Sequence, residues 1–180
     1  MTIPIIETSL LLLRPLHVDD FEDFYEYAQD PLVSSQGMWS PYESKDSARE
    51  DFNHICTLYD RGLMWWALED HTSGKMVGRC ELADYDPRDS HAELSYALHR
   101  DFWGRGYMTD AAQMVVRYGF EQLQLIRIGA QVFPDNLGSI RVLEKIGMTQ
   151  EGRLRHYSQV RGKPDDVYIY SVLRTEWQAQ

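Results

Sequence analysis

"RDFWGRGYMTDAA", residues 100–112, decides how this chain is read. Two glycines flank Arg105, an aromatic pair (Phe102, Trp103) precedes them, and a run with helical spacing follows. Glycine at the start of a helix costs backbone entropy, so its use there needs a reason. One reason is a ligand that approaches the main chain more closely than a Cβ permits. The other is an ordinary strand-to-helix turn. A strand that runs into such a turn and then a helix leaves N–H groups without intrahelical acceptors, aimed along the axis, and phosphate is their natural guest. The two familiar phosphate loops fit poorly. No Lys-Ser or Lys-Thr follows at P-loop spacing, and Thr109 stands where a dinucleotide loop has its third glycine.

Outward from this turn, the preceding residues read as short strands. In "HAELSYALH" Leu94, Tyr96 and Leu98 share one face while Glu93, Ser95 and Ala97 share the other. "LMWWALE" and "KMVGRCELA" come before it, separated by the turn sequences "DHTSGK" and "DYDPRDS", and the three predict an antiparallel meander. After the turn, "TDAAQMVVRYGFEQL" sets Ala111, Met114, Val115 and Tyr118 on one helical face. A strand "IRIGAQVF", a helix over residues 137–146, and strands around "RLRHYSQV" and "DVYIYSVL" follow. Asn136 is the candidate cap of that helix and Gly147 its stop. Toward the amino end, "TSLLLLRPL" reads as a strand broken by Pro15. "VDDFEDFYEYAQ" reads as a helix with Phe21, Phe24, Tyr25 and Ala28 inward and Pro31 past its end. "SKDSAREDFNHICTLYDRG" carries a second stripe, Ala48, Phe52, Ile55, Cys56 and Tyr59, stopped by Gly62. "PLVSSQGMWSPYE" between them reads as a loop carrying Trp39 and Tyr42.

The 180 residues, 43% of them hydrophobic, suffice for the core of one domain over residues 1–180. A formal charge of -10 argues against a phosphate-backbone binder, which needs clustered Lys and Arg, so no nucleic-acid partner is expected. A cationic partner suits the sign better. Cys56 and Cys80 lie far apart with no CxxC spacing, so neither a disulfide framework nor a metal site is indicated, and both read as small apolar side chains. "MTIPIIETSLLLLRPLH" has no basic leader, and its apolar cluster is too short to span a bilayer. A soluble cytoplasmic protein without a membrane partner is the expectation, as a monomer or small homo-oligomer.

The pair "DFWGRGYMTDA" and "NLGSIRVLEKIGM", preceded by "AELSYAL" and followed by "EGRLRHY" and "RGKPDDVYIYSVLRTEW", resembles the GNAT acetyltransferases. Within them it is most similar to the branch of ribosomal-protein N-terminal acetyltransferases of the RimJ/RimL type, over nearly the whole chain from "ETSLLLLRPLHVDDFEDFYEYAQDP" onward. The resemblance implies an α/β fold of mixed α+β kind: a twisted, mostly antiparallel mixed sheet flanked by helices, with a central splay between the strands carrying "HAELSYALH" and "IRIGAQVF". Acetyl-CoA is the implied cosubstrate. Its pantetheine arm would enter the splay and pair with main-chain groups near Ala97 and Leu98 like an added strand. Its pyrophosphate would rest on N–H groups from Trp103 through Gly104, Arg105, Gly106 and Tyr107 to Met108, the glycines admitting phosphate to the main chain and Arg105 adding charge at the rim. Asp101 stands where the family's Q/R-x-x-G-x-G pattern has Gln or Arg.

Direct transfer to an amine in a ternary complex requires the amine to lose a proton, the thioester oxygen to be stabilised, and the departing thiolate to be held. Many relatives use a tyrosine for the last task, but the matching position is Leu143. The resemblance then implies Ser139 as hydrogen-bond donor to the coenzyme sulfur and Asn136 as an anchor of the pantetheine. Helix grammar alone makes Asn136 a cap and Ser139 a small first-turn residue. Glu93 and Glu81 are strand carboxylates suited to relaying a proton through water, or are simply solvated. Ser158 stands where some relatives carry a carboxylate, and spacing selects none of His91, His99 and His156. The expected acceptor walls are Trp39, Tyr42, Trp66 and Glu81, with the hairpin "YSQVRGKPDD"; Trp65 must point away from Trp66. The acceptor is an amine: a protein amino terminus, an amino acid, a polyamine or an aminoglycoside-like compound. Two other readings stay open, a non-catalytic acyl-CoA binding protein and a nucleotide-binding module built on the glycine turn alone.

Overall fold

Eight strands join in one sheet, in the order β1-β2-β3-β4-β5-β6-β8-β7, in a computed structural model that describes residues 3–37 and 39–177. They are β1 (Ile6–Glu7), β2 (Leu11–Arg14), β3 (Trp65–Asp70), β4 (Met76–Asp86), β5 (His91–Leu98), β6 (Arg127–Val132), β7 (Thr149–Ser158) and β8 (Asp165–Leu173). The expected meander is β3-β4-β5, and every pairing in the sheet is antiparallel except β5 with β6.

That parallel contact is short. His91, Ala92 and Glu93 face Arg127, Ile128 and Gly129, and pairing stops there, while β5 stays on β4 to Leu98 and β6 stays on β8 to Val132. The two halves of the sheet therefore part beyond Glu93, at the splay that the family resemblance implies.

Local capping chemistry sets the start of two of the helices. The helix α1 (Phe21–Ala28) buries Phe21, Phe24, Tyr27 and Ala28. Residues 31–36, expected as loop, instead form a short helix α2 (Pro31–Gln36). The Asp30 carboxylate accepts from the Leu32 N–H at 2.9 Å and Pro31 occupies the first helical position, where its missing N–H costs nothing. Pro31 thus opens a helix as well as following one. The helix α3 (Lys45–Thr57) is capped by Ser44, whose hydroxyl accepts from Ser47 N–H at 3.1 Å, and its continuation as a 3-10 turn stops at Gly62, φ +89°. The helices α4 (Tyr107–Glu121), α5 (Leu137–Lys145) and α6 (Arg174–Trp177) complete the chain. Among the described residues no helix is long and apolar enough to cross a membrane.

The sheet separates two cores. On one face α4 and α5 cover Leu11, Leu13, Trp66, Leu68, Cys80, Leu82, Leu94 and Ile128. On the other α1–α3 cover Trp65, Ala67, Met76 and Ala97. An irregularity in β4 sets which residue lies on which face. Leu68 is opposite Gly78 but Glu69 is opposite Met76, so Val77 is an extra residue and the alternation changes phase there. Beyond it, Cys80 and Leu82 point to α4, and Arg79 and Glu81 join the α1–α3 face. Cys80 is buried and Cys56 partly buried, both as free thiols.

Candidate functional site

The glycine turn lies between the end of β5 and the start of α4. Gly104 and Gly106 adopt φ +73° and +89°, the left-handed region in which a Cβ is strained. A Cβ at either would meet no atom of the described residues within 4 Å, so no packing among them demands glycine there. Gly106 caps α4 without a side-chain acceptor. The Trp103 N–H donates to Arg100 O at 3.0 Å, which removes it from the expected set. The N–H groups from Gly104 to Thr109 have no acceptor among the described residues. Such a run at the positive end of a helix dipole suits a diphosphate. Arg105 lies exposed beside it, 5.7 Å from the Phe102 ring, and the Tyr107 hydroxyl is drawn inward to Asp70 at 2.8 Å. Met108 is buried in the core, so only its N–H belongs to the turn.

Along the splayed part of β5 the pleat decides which peptide groups are free. The His99 N–H donates to Val77 O at 2.7 Å, so by alternation Ala97 turns its peptide groups toward Arg79 on β4, and Tyr96 and Leu98 turn theirs toward the gap. Ala97 is thereby corrected: its main chain is spent within the sheet. The Leu98 carbonyl already accepts the Trp103 indole N–H at 2.8 Å, leaving the Leu98 N–H and the Tyr96 groups for an added strand.

Ser139 is brought to the same gap from the first turn of α5. Asn136 Oδ1 accepts from the Ser139 N–H at 3.0 Å, and Asn136 Nδ2 donates to Gln36 O at 3.0 Å, tying α5 to α2. The Asn136 amide is engaged as cap and tie rather than aimed into the gap. Ser139 Oγ lies 2.7 Å from the hydroxyl of Tyr96, which shares its face of β5 with Leu94 and Leu98. The signal was present, because a tyrosine among apolar neighbours needs a partner for its hydroxyl. Burial pushes the Tyr96 hydroxyl well above its ordinary value, against the opposing pull of Ser139, so it stays protonated. Leu143 is fully buried and chemically silent.

The opposite face of the sheet carries the candidate acceptor residues. Glu93 sits where the gap closes, directly over Gly129: a Cβ on Gly129 would lie 2.2 Å from Glu93 Oε1. Burial raises its carboxyl above the usual range, and Arg127 only partly offsets this. Arg79 and Glu81 form an ion pair, both side chains mostly buried, with the guanidinium 5.5 Å from the Trp39 ring and 5.7 Å from the Trp65 ring. Glu81 is therefore committed to Arg79. Tyr42 is half-buried and donates to Asp51 at 2.8 Å. Trp66 is a correction: it is fully buried on the α4 face, donates to Pro4 O at 2.9 Å, and meets the Tyr118 ring edge-on at 5.3 Å. The tryptophan that shares the Glu81 face is Trp65, itself buried beneath α1–α3. His99 Nδ1 accepts from the Asp101 N–H, His156 is exposed on β7, and Ser158 closes the β7–β8 ladder opposite Asp165. His91 opens β5 opposite Arg127, at the closed end of the gap.

A family model described as "Acetyltransferase (GNAT) domain" matches residues 11–149. The uncharacterized N-acetyltransferase p20 of Bacillus licheniformis is 32% identical over 94% of this chain and 96% of its own length. The spermidine N(1)-acetyltransferase of Escherichia coli K12 is 25% identical over 93% and 88%. Among solved structures, a GNAT-family acetyltransferase from Bacillus anthracis superimposes with a TM-score of 0.84 at 26% identity, covering 96% of this chain and all (100%) of that one.

Proposed function

The chain belongs to the GNAT acetyltransferase family, as an acetyl-CoA-dependent N-acetyltransferase, and from that premise we propose how its residues divide the work. The diphosphate of the coenzyme lies on the N–H groups that begin at Gly104, with Arg105 at the rim. Tyr96 and Leu98 supply main-chain groups to the pantetheine arm. When bound, acetyl-CoA supplies an activated acyl group as its thioester. Ser139 donates a hydrogen bond to the departing sulfur, and Glu93 takes the proton of the attacking amine, directly or through water. The acceptor is a primary amine that enters from the face bearing Glu93, Trp39 and Tyr42. Polyamines and protein amino termini are the acceptor classes to try first; spermidine is the substrate named for one relative. Cytoplasmic operation as a monomer or small homo-oligomer, without nucleic acid or membrane, completes this reading.

The observation that carries it is the uninterrupted run of N–H groups at the start of α4 that have no acceptor among the described residues, beside the point where β5 and β6 part. The test is a thermal-shift panel of acetyl-CoA, ATP and NAD, followed by a free-thiol release assay with spermidine and with alanyl- and methionyl-peptides. Acetyl-CoA alone should stabilise, and thiol release should require an amine. Stabilisation without amine-dependent release would identify a binding protein instead of an enzyme. Preference for ATP or NAD would remove the assignment of the glycine turn.

A further inference from the structure

We propose that Tyr96 is a positioning residue for acetyl transfer: it holds the Ser139 hydroxyl so that the serine hydrogen faces the gap between β5 and β6. This deepens the reading of Ser139 as donor to the departing sulfur and rests on it. Tyr96 lies beyond the last β5–β6 pair, its hydroxyl 2.7 Å from Ser139 Oγ and 3.3 Å from Ser139 O. Only one hydrogen can lie on the line between two hydroxyls, so the direction of donation decides what Ser139 offers to the gap. A phenol is a better donor and a poorer acceptor than an aliphatic alcohol. The one Tyr96 hydrogen has two acceptors on Ser139, Oγ at 2.7 Å and the carbonyl oxygen at 3.3 Å; it takes the shorter contact, so Tyr96 donates to Oγ and the serine hydrogen is free to turn outward.

The rest of the surroundings agree. Burial keeps the Tyr96 proton in place, so the donor does not titrate away near neutral pH. The Ser139 N–H is fixed separately by Asn136 Oδ1 at 3.0 Å, so main chain and side chain are both constrained. Among the described residues no other side chain bonds Ser139 Oγ, and Leu143 further along α5 carries no donor. During transfer the C–N bond forms as the C–S bond breaks, and the electron pair leaves on sulfur. Ser139 donates a hydrogen bond to that sulfur and keeps its proton. The nitrogen sheds one proton to Glu93 or water, and the thiolate gains one from solvent.

A double-mutant cycle tests this, with Tyr96→Phe, Ser139→Ala and both together, measured by thiol release with spermidine and an alanyl-peptide as probe amines. Tyr96→Phe keeps the ring, and acetyl-CoA titration calorimetry on the same preparations reports that the protein is folded. Tyr96→Phe should lower kcat about tenfold, with acetyl-CoA affinity changed by less than about twofold. Ser139→Ala should lower kcat at least as much, and the double variant should be no worse than Ser139→Ala alone. If Ser139→Ala lowers kcat and Tyr96→Phe does not, Tyr96 has no positioning role while the reading of Ser139 stands. Additive losses would also overturn the inference, because Tyr96 would then act by another route. Unchanged kcat in Ser139→Ala, or no release with any amine, would remove the reading of Ser139 and this inference with it.

Discussion

Replacing Gly106 with alanine separates two costs that the glycine turn combines. The first is backbone strain. At φ +89° an L-residue costs roughly 1–2 kcal/mol, which for a chain of this size lowers Tm by about 2–8 °C. The second is steric. The Cβ meets no atom of the described residues within 4 Å, so what it obstructs is a bound ligand. If it displaces one charge-assisted hydrogen bond between an N–H and the diphosphate, worth about 1.5–3 kcal/mol, the affinity for coenzyme A falls about ten- to a hundredfold. Gly62 supplies the control, since it has the same φ of +89° with equally open surroundings and lies at the end of α3, away from the turn. Gly62→Ala should show the same drop in Tm with coenzyme affinity unchanged. Titration calorimetry with coenzyme A and with acetyl-pantetheine, which lacks the diphosphate, completes the comparison. Only coenzyme A should lose affinity in Gly106→Ala. Equal losses for both ligands, or none for either, would refute the diphosphate cradle.

Other outcomes follow from the same geometry. Because the Glu93 carboxyl titrates above the usual range and must be ionised to accept a proton, kcat/KM should fall as pH drops through that raised value. Glu93→Gln should flatten this limb and lower the rate about a hundredfold; a limb that persists would exclude Glu93 as the base. Gly129→Ala, whose Cβ would lie 2.2 Å from Glu93 Oε1, should impair turnover with Glu93 intact, whereas wild-type rates would show that the carboxylate's position is immaterial. Arg127 and then Ser171 hold the Glu151 carboxyl down to about 2, from 4.5. The stability it contributes is present above the unfolded value and lost as pH falls toward about 2, so the Tm difference between wild type and Glu151→Gln should close over that window. A difference independent of pH would mean that the Arg127–Glu151 pair does not stabilise the fold through charge. Trp66→Ala should cost about 3–5 kcal/mol in urea unfolding, and a loss below about 1 kcal/mol would contradict its place in the core.

The amino-acid sequence by itself determined whatever acts between residues close along the chain. The alternation of β5, the apolar stripe of α4, the stops at Gly62 and Gly147 and the exposed N–H groups after Gly104 all follow from spacing and from backbone sterics within a few residues. Even the missed helix α2 was locally encoded, since Asp30 followed by Pro31 is a cap and a first helical residue. The tertiary structure alone decided which side of the sheet each side chain serves, because one extra residue at Val77 changes the phase of β4. That places Arg79 with Glu81 on the face covered by α1–α3, and strand pairing puts Trp65 on that face and Trp66 under α4, both buried. It also decided the pairings around the candidate site: Tyr96 with Ser139 across 43 residues and Asn136 with Gln36 across 100. Such contacts depend on where a splayed sheet leaves room for two helix ends, and no local pattern of residues encodes that distance.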